Sequence, residues 1–397
     1  MNGADHFSCG QHRVGKHYCV IFTPNAWKSH LRKHRSTKSS WNYILAFMNG
    51  RPAAASRQSA ANPRQHFQWR SAASPLHRVS NRREFIRTTA VGTLAGGALI
   101  AGIGAVNAQT TKSRKMTMDL TCGSIGVSGN QREAIELATR HGFESVAADG
   151  HFLASQSDDH LAELKASMRS RNLVFGAAGL PVEFRQDDTR FRDSLKDLPR
   201  FATGLQRGGV SRVATWLNPA DGKLTYLQNF RRHTSRLGEI AQVLRDHGVR
   251  LGLEYVGPKT GWTSRRYPFV HTLAELKELI AAIKADNVGY VLDSWHWWHA
   301  GDTAADILSL KGAEVMAVDL NDAPTGTPKD QLMDNHRELP CATGLIDVGA
   351  FLSALNQIGY DGPVRAEPFN DAVNKMSKDQ ACDAAITALR KAFALIA

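Results

Sequence analysis

Three apolar runs decide the fold: VRLGLEYV (249–256), VGYVLDSW (288–295) and VMAVDLND (315–322). Each is short, rich in Val and Leu, and almost continuously apolar, as a strand covered on both faces must be. Between the first two lies LAELKELIAAIKA (273–285), where Leu273, Leu276, Leu279, Ile280 and Ile283 recur at helical spacing and form one buried face. Strand, amphipathic helix and strand in succession imply parallel strands joined by a right-handed crossover.

The same alternation extends in both directions. Four strand-like runs precede these three: MTMDLTCGSIG (116–126), FESVAAD (143–149), LVFGAAG (173–179) and RVATWLN (212–218). One follows them, VRAEPF (364–369). Helical stretches fill the intervals, among them QREAIELATRHG (131–142), HLAELKASMRSR (160–171) and FRRHTSRLGEIAQVLRDHG (230–248). Several of them run into a glycine before the next strand (Gly142, Gly248, Gly359), as a helix ending in a left-handed residue does. Eight strand–helix units over about 280 residues predict a closed (β/α)8 TIM barrel. An open doubly wound sheet announces itself with a glycine-rich phosphate loop after its first strand, and Gly123 and Gly126 lack that spacing.

The chain has 397 residues and a formal charge of +12, unevenly placed. Residues 1–108 hold 15 Lys and Arg against two acids, Asp5 and Glu84, whereas residues 109–397 hold 34 against 35. The basic character therefore belongs to the head. A nucleic-acid-binding function is excluded for the folded part, which has no surplus of cations to meet phosphates. Five cysteines, only three of them beyond residue 108, make no disulfide scaffold.

Residues 1–80 show no period of 2 or 3.6 and read as a disordered basic extension, with Met48 an alternative start. Residues 81–108 carry Arg82, Arg83, Phe85, Ile86 and Arg87, then a glycine- and alanine-rich apolar run. This resembles a twin-arginine export signal. It implies the twin-arginine machinery as a partner, cleavage near Ala108 and a periplasmic location for the domain at 109–397.

In a barrel the chemistry sits at the C-terminal strand ends. There Glu254, Asp293, Asp319 and Glu367 interrupt the fifth to eighth apolar runs. An ionised carboxylate among apolar neighbours is costly unless paired or metal-bound, and four converging on one mouth repel each other. A divalent metal resolves both problems. Asp322 reads differently, as a support for its loop. Asp149, His151, Trp216 and Asn218 mark the ends of the second and fourth runs.

Over residues 110–395 the sequence resembles the xylose-isomerase-like barrel family of metal-dependent sugar isomerases and epimerases. Glu254 fits the family's acid after strand five, Asp293 and His296 its Asp-x-x-His after strand six, and Glu367 its last acid. The segment NHRELPCATGLIDVGAFLSALNQIGYDGPVRAEPF (335–369) resembles the family's tail. Strand seven departs, carrying Asp319 where most relatives have a ligating histidine. The resemblance implies Glu254, Asp293, Asp319 and Glu367 as metal ligands, and oxygen-only ligation favours Mn2+ or Mg2+ over Zn2+. It further implies an isomerase or epimerase acting on a sugar or keto-sugar through an enediolate, with Glu254 and Glu367 as acid and base.

Loss of a β-hydroxyl from the same intermediate would make a lyase or dehydratase, and a site without its metal would be a plain sugar-binding barrel. A three-zinc endonuclease of the same barrel family needs more histidines around the mouth. His296 resembles the family's substrate-contacting histidine, and Arg337 lies in the family-like stretch. Trp262 and Trp295 offer indole faces suited to the C–H surface of a sugar. The loops at 257–268 and 323–345 are the expected lids, with Lys259, Arg265, Arg266, His336 and Arg337 as candidate anion contacts. A homo-oligomer is left open.

Overall fold

The computed structural model describes residues 114–397. The expected basic extension at 1–80 and the expected export signal at 81–108, with its expected cleavage near Ala108, lie outside the described residues.

The eight expected strands are the eight staves of a closed parallel barrel: β1 (Thr117–Leu120), β2 (Ser145–Ala148), β3 (Val174–Gly179), β4 (Arg212–Trp216), β5 (Arg250–Glu254), β6 (Val288–Asp293), β7 (Val315–Leu320) and β8 (Pro363–Ala366). Each pairs with its neighbour in sequence. The ring closes where β1 lies against β8, with Thr117 opposite Pro363 and Asp119 opposite Arg365. Every residue of β6 and β7 is buried, which accounts for their unbroken apolar runs.

Helices cover the outside. In Leu273–Ile283, Leu273, Leu276, Leu279 and Ile283 are buried against the barrel and Ile280 lies at the margin. Each such leucine contributes about 1.5–3 kcal/mol through removal from water. The helix Gln131–His141 opens with a capping box of Asn130 and Glu133, and ends on Gly142 at φ 75°.

Two of the apolar runs are shorter as strands than they read. The first stops at Leu120, and Cys122–Ile125 forms a 3-10 turn closed by Gly126 at φ 72°, a conformation that glycine adopts without strain. The sixth stops at Asp293, whose side chain accepts the backbone N–H of Trp295 at 2.7 Å. That cap starts a helix, Ser294–Ala300, so the Trp- and His-rich stretch is helical. Outside the barrel, Ala220–Asp221 pairs antiparallel with Tyr267–Pro268 and ties the loops after β4 and β5 together. No helix among the described residues is long and apolar enough to cross a membrane.

Candidate active site

Strand register assembles the carboxylates. Glu254 ends β5, Asp293 ends β6, Asp319 is the penultimate residue of β7, and Glu367 follows β8 directly. Asp293 lies opposite Asp319, Asp319 opposite Arg365, and Arg365 opposite Asp119, so four charged groups share one layer of the barrel. One oxygen from each of Glu254, Asp293, Asp319 and Glu367 falls within 4.8 Å of the others. A nitrogen of His296 forms a second such group with Glu254 and Asp293.

The four acids differ in how they are held. Asp293 is fully buried and engaged on both oxygens. Its Oδ1 accepts from Trp295 N and from Asn321 Nδ2, each at 2.7 Å, while Oδ2 accepts from Arg337 Nη1 at 2.8 Å. Asp319 is fully buried and takes a two-point ion pair from Arg365. Glu367 accepts from Arg337 Nη1 at 3.2 Å and from Ser124 Oγ at 3.3 Å. Glu254 is buried, and its Oε1 has no hydrogen-bond partner among the described residues.

Burial and mutual repulsion set the electrostatics. Glu254 is held well above the usual carboxylate range, first by burial and then by the charges of Asp319, Asp293 and Glu367. Burial and Asp319 push Glu367 up to about 8. Burial, with the Arg337 charge adding to it, lowers His296 to about 3, so its imidazole is neutral. A buried oxygen without a partner, in a nest of carboxylates that resist ionising together, fits a divalent cation. Ligands around one such ion at 2.0–2.6 Å span at most about 5 Å, which the 4.8 Å grouping meets.

The expected substrate contacts are placed unevenly. Arg337 is almost wholly buried and spends its guanidinium on Asp293, Glu367 and, at 2.9 Å, Asp334. Trp295 is fully buried, so its indole does not face a substrate; it packs beneath Arg337, whose Cζ lies 5.5 Å from the ring centre. Trp262 sits half-buried on the loop after β5, stacked on His271 at 4.9 Å. His296 lies 3.6 Å from Asp293 through Nε2, and its Nδ1 receives the backbone N–H of Gly257 at 3.3 Å.

The two expected lids meet. Lys259 pairs with Asp330 at 2.7 Å, and Thr260 donates to the carbonyl of Leu332 at 2.7 Å. Lys259 is thereby occupied, while Arg265, Arg266 and His336 are exposed. A cavity of about 470 Å3, lined by Leu332, Met333, His336, Arg337, Phe369 and Asn370 among others, opens beside the β7 loop. Asp322 supports its loop as expected, accepting four backbone N–H groups from Ala323, Thr343, Gly344 and Ile346. Asp149 caps the short helix Gly150–Ser155, and His151 pairs with Asp197 at 3.3 Å.

Sequence reasoning missed Arg185, Arg365, Asp334 and Asn321. Arg365 had a legible signal: it stands two residues before Glu367 in a strand, hence on the same face. Arg185 arrives from the loop after β3, where it stacks on Trp216 with Cζ 4.3 Å from the ring and donates to Thr215 Oγ1 at 2.6 Å. No local pattern announces it.

Fold and site together define a parallel β/α barrel with an acidic, cation-competent mouth. The chain belongs to the xylose isomerase-like TIM barrel family, whose model matches residues 135–392. It is 24% identical over 257 residues to an inosose isomerase of Bacillus velezensis, covering 64% of this chain and 88% of that protein. It is 27% identical over 264 residues to a 3-dehydroshikimate dehydratase of Pseudomonas aeruginosa, covering 64% of this chain but 38% of that longer protein. Among solved structures, a xylose isomerase domain protein of Alicyclobacillus acidocaldarius superposes with a TM-score of 0.61 at 30% identity, covering 72% of this chain and 99% of that one. The IOLI protein, solved with a zinc atom bound, shares the fold at a TM-score of 0.58 and 23% identity, covering 70% and 98%.

Proposed function

We propose that this chain is a divalent-metal-dependent enzyme that moves a proton next to the ketone of an uncharged sugar or cyclic polyol, as an isomerase or epimerase. The observation that carries the reading is the unpartnered, buried Oε1 of Glu254 inside the carboxylate nest. A divalent ion held by Glu254, Asp293 and Glu367, with Asp319 as a fourth candidate, would polarise the ketone and its neighbouring hydroxyl and acidify the C–H between them. The all-oxygen set favours Mn2+ or Mg2+, and His296 keeps a nitrogen donor within the same reach.

Glu254 and Glu367 are the acid and base. They stand on β5 and just after β8, on either side of Asp293 and Asp319. Burial and the neighbouring acids raise both carboxyl groups above the ordinary carboxylate range, which lets each hold a proton as an acid must. Arg337 holds Glu367 Oε2, leaving Oε1 only the long contact from Ser124.

Charge supports an uncharged substrate. Carboxylates outnumber guanidinium groups at the mouth, where Glu254, Asp293, Asp319, Asp334 and Glu367 stand with Arg185, Arg337 and Arg365, an excess of negative charge that suits a dication. Arg185, Arg337 and Arg365 are engaged by protein groups, which leaves the exposed Arg265, Arg266 and His336 of the lids as the cations an anionic substrate would have to use. Keto-inositols of the kind named in the Bacillus relative meet this condition. The same proposal has the domain exported to the periplasm, a reading supported by the resemblance of residues 81–108 to a twin-arginine signal.

The test is exchange of substrate C–H in heavy water with Mn2+, across a panel of neutral ketoses and inososes, sugar acids and sugar phosphates. Incorporation of deuterium into a neutral ketone, abolished in Glu254→Gln and Glu367→Gln, is the expected result. Exchange unchanged in both variants would remove them as acid and base. Loss of water from the product would assign a dehydratase.

A further inference from the structure

Asp319 differs from the other three acids of the nest. It lies directly opposite Arg365 in the β7–β8 register. Arg365 Nε donates to its Oδ1, and Nη2 to its Oδ2 at 2.8 Å. Both oxygens of a fully buried carboxylate are thus directed at one guanidinium, in the fork-to-fork geometry that makes such pairs strong. Among the described residues Glu254 has an oxygen with no partner, and Glu367 shares one donor nitrogen of Arg337 with Asp293, whose other oxygen is held by the uncharged donors Trp295 N and Asn321 Nδ2.

Arg365 itself has no second anchor of this quality. Its other neighbour in register, Asp119, already accepts from Ser145 Oγ at 2.6 Å and Thr121 Oγ1 at 3.1 Å. Turning Asp319 toward an ion would leave the Arg365 guanidinium buried beside that ion with its principal counter-charge withdrawn, a costly arrangement.

We propose that Asp319 is not a metal ligand but the anchor of Arg365, and that Glu254, Asp293 and Glu367 hold the ion. The pair then forms a fixed internal cation and anion in the wall of the site. Asp319 acts as a positioning residue, keeping Arg365 from competing for the ligand oxygens of Glu367 and Glu254. This inference rests on the divalent-ion reading given above.

The experiment titrates Mn2+ alone into the purified protein, followed by electron paramagnetic resonance, with circular dichroism to confirm folding. Wild type is expected to bind one Mn2+, and Asp293→Asn to weaken binding more than about 100-fold, beyond the usual effect of an outer partner. Asp319→Asn leaves Arg365 unpaired next to the ion and is expected to weaken binding. The double variant Asp319→Asn with Arg365→Gln removes the pair together and is expected to return to within about tenfold of wild type. A double variant as weak as Asp293→Asn would overturn the proposal, because only a ligand is lost irrespective of Arg365. Wild type that binds no Mn2+ would instead overturn the ion reading, and the proposal with it. A second measurement needs no substitution. The Arg365 Nε–H resonance is expected to persist on saturation with Mg2+, and its loss to solvent exchange would show that the ion had taken Asp319.

Discussion

Arg337 Nη1 lies 2.8 Å from Asp293 Oδ2, although 44 residues separate the two and both are buried. Asp293 belongs to the barrel and Arg337 to the long loop after β7, so one contact ties the loop to the floor of the nest. Burial works against the charge on Arg337, but Asp334, Asp293 and Glu367 hold it firmly protonated.

Replacing Arg337 with Met therefore removes the counter-charge from three acids at once. Breaking a buried pair by deleting one partner costs about 3–5 kcal/mol. Chemical denaturation of metal-free Arg337→Met is expected to show a loss of that size. Arg337→Lys should recover part of it, as a point charge replaces a fork.

The raised carboxyl group of Glu367 links pH to stability. It goes from the ordinary 4.5 to about 8 on folding, so between those values the folded chain binds the extra proton. Its contribution is present below about 4.5 and is lost as pH rises through about 8. The melting temperature of metal-free protein is expected to fall over this window. Glu367→Gln should flatten that slope.

Ion binding must displace the same protons. Mn2+ affinity is thus expected to rise with pH up to about 8, with proton release measurable by calorimetry in buffers of different ionisation enthalpy. An affinity that did not vary with pH would show that Glu367 is already ionised in the free protein.

Asp322 holds four backbone N–H groups of its own loop and of residues 343–346. Asp322→Ala leaves several of them without an acceptor, at about 1–3 kcal/mol for each one that stays buried. A loss of about 3 kcal/mol or more is expected from urea denaturation. Mn2+ affinity should remain near wild type, since Asp322 lies outside the nest.

The Lys259–Asp330 pair bridges the two lids at the surface, with side chains 50% and 64% exposed. Exposed pairs add about 0–1 kcal/mol. Lys259→Ala is expected to leave the melting temperature nearly unchanged and to raise KM more than it lowers kcat. Added salt should act on wild type in the same direction and leave the variant unaffected.

The barrel was legible because its strands are continuous apolar runs and its helices carry one apolar face, signals that depend on neighbours in sequence alone. The carboxylates were legible for the same reason: Glu254, Asp293 and Asp319 stand out against apolar surroundings. The ion pairs were not. Arg365 pairs with Asp319 across a strand boundary 46 residues away, and Arg185 reaches β4 from a loop without periodicity. Trp295 looked like a platform for a sugar because aromatic residues crowd 295–299. The cap at Asp293 turns that stretch into a helix and sends this indole under Arg337. Whether a side chain lines a mouth or supports it depends on rotation about a helix that begins one residue earlier or later, which composition does not record.

Asp119, Arg365 and Asp319 form three rungs across β1, β8 and β7. Losing Asp319 or Arg365 by itself strands a charge in the interior, so each such single-step descendant is a poorer folder than its parent. A lineage leaves such an arrangement by changing two positions nearly together. In alignments of close kin, positions 319 and 365 are expected to vary in step: a histidine or neutral residue at one, an uncharged residue at the other.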